Sequence, residues 1–83
     1  MRLSTIKLIE ALLEQEEAKA TWEYREIDGK IYRQKDQMER DGASYQEISD
    51  ALADDLAEAR KRDARRKAAQ QALADFRSTD WRC

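Results

Sequence analysis

The sequence predicts an all-α protein. It reads as a long antiparallel helical hairpin with helices at about 4–40 and 44–77, packing as a dimeric four-helix bundle. Three observations predict it. The 83 residues include no Pro, only two Gly, thirteen Ala and 41% charged residues, the composition of long helices. A helix stop and a helix start follow one another between Asp41 and Glu47. The halves on either side of that break also match when laid antiparallel.

The first helix is expected to begin at Ser4 and to run for about 55 Å at about 1.5 Å per residue. One stretch within it carries a competing signal. Asp28-Gly29 sits between aromatic and β-branched residues, the pattern of a two-residue β-hairpin. Yet Tyr24, Ile27, Ile31 and Met38 also fall on one stripe of a helix. A ribbon over 22–35 would pair Ile27 with Lys30 and Glu26 with Ile31, leaving neither face clean. Two strands alone are also marginal in water. The helix is therefore the favoured reading, with Gly29 costing about 1 kcal/mol as a soft point.

The stop is Asp41-Gly42, with Gly in the left-handed position that closes helices. The restart is Ser44, whose spacing to Glu47 is that of a capping box. Glu47, Asp50, Asp54 and Asp55 crowd the first turns of the second helix and basic residues follow, as the helix dipole favours. Ser78, Thr79 and Asp80 weaken the helix after Arg77, so 78–83 is expected to fray and 1–83 to form one domain.

A connection this short folds the second helix back along the first. In a register where partner numbers add to about 83, Ile6, Ile9, Leu13, Ala20, Tyr24, Ile27, Ile31 and Met38 face Tyr45, Ile48, Leu52, Leu56, Ala59, Ala69, Leu73 and Phe76. Bulky Tyr24 then meets Ala59, as interdigitating layers require. The same register sets Arg25, Lys30, Arg33 and Lys35 against the acidic run 47–58, and Glu16, Glu17 and Glu23 against "RKRDARRK" at 60–67. Exposed pairs contribute only about 0.2–1 kcal/mol each, but the pattern rejects slipped pairings. Arg62 and Arg66 point to the seam and are the expected partners of Glu16 and Glu17, leaving Lys61, Arg65 and Lys67 freer.

Function is legible mainly by exclusion. There is no His, no nucleophile beside a base and no Gly-rich phosphate loop, so no enzymatic activity and no cofactor are expected. The only Cys is Cys83, which allows neither an internal disulfide nor a zinc site. Carboxylate-only metal binding would need a ligand-bearing loop, and none is evident. The first residues, "MRLSTIKLIEALLEQEE", are interrupted by Lys7 and Glu10 and resemble neither a signal peptide nor a membrane span, so a cytoplasmic protein is expected. A net charge of −2 argues against general attraction to nucleic acid or acidic membranes.

"DGASYQEISDAL", residues 41–52, resembles the first helix of bacterial helix-turn-helix domains. That resemblance implies a turn and a recognition helix next. The chain instead continues as "ADDLAEARKR", with no breaker and with two aspartates where DNA would sit. A nucleic-acid role would then rest on the basic run, through Lys61, Arg65 and Lys67.

The expectation from what remains is a small protein-binding adaptor, regulator or inhibitor that occupies a partner's surface. By analogy of type it would be a phage or mobile-element product that blocks a host system. Leu8 and Leu12 widen the apolar stripe beyond what one partner helix covers, and Trp22 lies away from the seam with Ala11 and Ala18. Ala57, Ala64, Ala68 and Ala72 make a smooth outer stripe on the second helix. The expected contacts are Trp22, Tyr32, Leu8, Leu12 and Trp81, with self-association through the N-terminal stripe and the Phe76/Trp81 end.

Overall fold

A computed structural model describes residues 2–80 as two helices, α1 (Leu3–Arg40) and α2 (Tyr45–Ser78), with no strand among the described residues. Residues 22–35 lie wholly inside α1, so the Asp28-Gly29 signal does not produce a turn. A Cβ placed on Gly29 would meet only an Arg33 guanidinium nitrogen, at 3.4 Å. α1 starts one residue earlier than Ser4 would have it. Arg2 is its N-cap and lends no side-chain bond; its carbonyl accepts from the amides of Thr5 and Ile6.

The turn is built as its residues dictate. Gly42 takes φ +81°, its amide donates to the Glu39 carbonyl, and the Ala43 amide donates to that of Met38. That pair of bonds is the Schellman closure, which needs a residue without a Cβ penalty at position 42. Two residues on, the Ser44 hydroxyl accepts from the Glu47 amide at 3.2 Å, and the Glu47 carboxylate accepts from the Ser44 amide at 3.4 Å. The capping box satisfies two amides that a helix start otherwise leaves open.

α2 returns along α1 as a rod of 63 × 15 × 15 Å. Its radius of gyration, 18.6 Å, compares with about 12 Å for a globular chain of this length. A rod two helices wide has little interior. Ala20, Ile27, Ile48, Leu52 and Leu73 are the buried apolar residues, and no charged or polar residue is buried among those described.

The seam is more regular, and more polar, than its apolar members suggest. In α1 one series of partly or fully buried positions steps alternately by four and three through Ile6, Glu10, Leu13, Glu17, Ala20, Tyr24, Ile27, Ile31, Gln34 and Met38, with Ile9, Thr21, Glu23 and Gly29 partly buried beside it. In α2 the same steps run through Ile48, Leu52, Asp55, Ala59, Arg62, Arg66, Ala69, Leu73 and Phe76. That is the heptad spacing of a coiled coil. Two expected seam residues, Leu56 and Tyr45, are left exposed. Leu56 is 38% exposed because the heptad step from Leu52 lands on Asp55, which pairs with Lys30 across the hairpin at 3.5 Å. Tyr45 is 86% exposed because it is the first residue of α2, where side chains lean toward the N-terminus and past the packed length of α1.

Candidate protein-binding faces

Charge pairing orients the two flanks of the hairpin. On one flank Arg65 reaches Glu16 at 3.1 Å and Glu23 at 3.2 Å. Toward the open end, Arg77 bonds Glu14 at 2.6 Å and Glu10 at 3.4 Å. The Arg65 pairs and Lys30–Asp55 follow the block complementarity of the sequence, with partners reassigned, and the Arg77 pairs lie outside those blocks. Arg62 and Arg66 do not take Glu16 and Glu17, and Glu16 is held by Arg65. Arg62 donates to Glu58 and to the main-chain carbonyl of Glu23. Arg66 pairs with Asp63 and stacks over the Tyr24 ring at 4.5 Å, while its Nε is buried without a hydrogen-bond partner. Glu17 accepts from the Thr21 hydroxyl instead.

The basic run is therefore largely engaged. Of Lys61, Arg65 and Lys67, Arg65 is tied to Glu16 and Glu23, and Lys67 bonds Asp63 at 3.1 Å. Among the described residues Lys61 has no ion pair. Asp63 holds two cations at once. The hydrogen bonds from Arg66 and then Lys67 keep its carboxyl below the usual carboxylate range.

The apolar residues expected to make contacts fall on two separate faces. Leu8, Leu12 and Trp22 are all exposed on α1, with exposed Ala11 and Ala18 between them. Trp22 borders a shallow groove of about 440 Å³ whose other walls, Glu23, Glu26, Glu58, Lys61, Arg62 and Arg65, are charged. Tyr32, 67% exposed, belongs elsewhere. It lines a cleft of about 380 Å³ near the turn with Tyr45, above a floor of Ile31, Ile48, Leu52 and Leu56. Asp28, Lys35, Glu39 and Ser49 complete its rim. A second cleft of about 200 Å³ shares Asp28, Ile31 and Leu56 with the first and extends it to Tyr24, Ala59, Arg60 and Asp63. Sequence reasoning missed Tyr45 as a surface residue. The signal was its place directly after the cap, where a helix has no packed turn before it.

Trp81 and Cys83 lie outside the described residues, so the expected Phe76/Trp81 contact end does as well. No group of three or more His, Cys, Asp or Glu side chains among the described residues is placed to hold a metal ion. Among the described residues no helix is long and apolar enough to cross a membrane. No protein-family model, curated protein or solved structure matches the chain.

Proposed function

We propose that this protein is a non-enzymatic binding module, a small adaptor, regulator or inhibitor that works by occupying a surface of a partner protein. One observation carries the reading. Among the described residues, Leu3, Leu8, Leu12, Trp22, Tyr32, Tyr45 and Leu56 stay exposed on a rod whose buried interior is five aliphatic residues. Single exposed apolar side chains are ordinary, but aromatic ones gathered at clefts are the usual anchors of protein interfaces. The N-terminal stripe of Leu8 and Leu12 supports self-association as a dimeric four-helix bundle, which would give the thin rod a second apolar layer. By analogy of type, the reading places the protein in the cytoplasm as a phage or mobile-element product that blocks a host system.

Sedimentation equilibrium tests the self-association part. The wild-type chain is expected at twice its 9.7 kDa mass, and Leu8→Glu with Leu12→Glu at the monomer mass with unchanged helicity. A wild-type monomer at 100 µM would remove the dimer. The protein-binding part is tested by capture of proteins from the source cell with wild-type bait and with bait altered at the exposed aromatics.

A further inference from the structure

We infer that the groove bordered by Tyr32 and Tyr45 is the docking site, and that its occupant is a basic amphipathic helix of a partner protein. This rests on the protein-binding reading above and names where the partner sits and what chemistry it presents.

Shape comes first. The two clefts that share Asp28, Ile31 and Leu56 run along one side of the seam from Tyr45 to Asp63. Eighteen residues of α2 separate those ends, about 27 Å at about 1.5 Å per residue. A channel between two antiparallel helices accepts the ridge of a third helix, and this length matches about five helical turns. The floor is apolar and continuous with the core, since Ile48 and Leu52 are core residues and also line the cleft. A third helix would cover Leu56 and Ile31, which the second helix leaves partly open.

Charge selects the occupant. Residues 24–63, the span of the two clefts, contain eleven Asp or Glu and eight Lys or Arg, a formal charge of −3, whereas the whole chain carries −2. Of the cations, Lys30 is held by Asp55, and Lys35 by Glu39 on the groove rim. Asp28, shared by both clefts, has no ion pair among the described residues. The field around the groove is negative, so a helix with an apolar stripe flanked by Lys and Arg is drawn in and an acidic one is repelled. The walls of the Trp22 groove balance, three carboxylates against three cations, whereas the tyrosine groove sets Asp28, Glu39 and Asp63 against Lys35 and Arg60.

The probe is an 18-residue Lys/Leu peptide with helical periodicity, compared with the same peptide carrying Glu for Lys, each titrated into the full chain by fluorescence anisotropy. The Lys/Leu peptide is expected to bind at least tenfold more tightly than its acidic counterpart, with affinity falling as salt rises. Tyr32→Ser with Tyr45→Ser should weaken it tenfold or more, and Trp22→Ser less than twofold. Both tyrosines are exposed, so the double variant should keep its helicity and melting temperature. Equal binding of the two peptides overturns the inference, as does binding that depends on Trp22 and not on the tyrosines. A wild-type dimer that the double tyrosine variant converts to monomer also overturns it, since a second copy would then be the occupant. Protein capture from the source cell reports separately on the underlying reading. A partner lost from the Trp22 variant and kept by the tyrosine variant would overturn the groove assignment while leaving protein binding intact.

Discussion

Arg62 of α2 donates from Nη1 to the main-chain carbonyl of Glu23 in α1 at 3.0 Å. Its Nε donates to Glu58 on its own helix at 3.1 Å. One guanidinium thus joins a side chain of one helix to the backbone of the other, in mid-seam, where an apolar residue would slide more freely. Arg62→Ala is expected to cost about 1 kcal/mol, at the lower end for charged hydrogen bonds because the side chain is partly exposed. In a domain this small that lowers the melting temperature by about 4–8 °C. Arg65→Ala should cost less, within the range of about 0.2–1 kcal/mol for exposed ion pairs, since Arg65 and Glu16 are each half exposed. Thermal melts followed by circular dichroism rank the two.

The two glycines should respond with opposite sign. Gly29 lies inside α1 with space for a methyl group, so Gly29→Ala is expected to stabilise by about 0.5–1 kcal/mol. Gly42 has room as well, but its φ of +81° is the left-handed region, and Gly42→Ala should destabilise by about 1–2 kcal/mol. Urea titration of both variants checks the pair. A stabilising Gly42→Ala would contradict the observed turn.

Asp63 gives the fold an acid-sensitive point. Its folded carboxyl titrates below the usual range because Arg66 and Lys67 bond the charged form. A lowered folded value means that the contribution is full above the unfolded carboxylate value and disappears as pH falls through the folded one. Asp63→Asn should therefore lower the melting temperature at pH 7, and the difference should shrink as pH falls through the folded titration. Melts of both proteins from pH 7 downward test the convergence.

The helical hairpin was legible because its signals are local and agree with one another. Asp41-Gly42 and Ser44/Glu47 each specify a backbone geometry, and both occur as specified. Asp28-Gly29 lost its turn meaning because a continuous seam outweighs one dipeptide. Partner assignments were less legible, since heptad phase depends on where a packed helix begins. That phase puts Asp55 in the seam in place of Leu56, and makes Arg65, not Arg62 or Arg66, the partner of Glu16. The separation of Trp22 from Tyr32 was hidden for a related reason. Both leave the seam, and only the placement of α2 shows that they border different clefts.

The most direct test of the protein-binding claim is parallel capture from the source cell with three baits of equal helicity: wild type, Trp22→Ser, and Tyr32→Ser with Tyr45→Ser. The expected result is a stoichiometric partner on the wild-type bait that is reduced tenfold or more when the exposed aromatics are removed. The same proteins on all three baits, or none on the wild type, would contradict the claim.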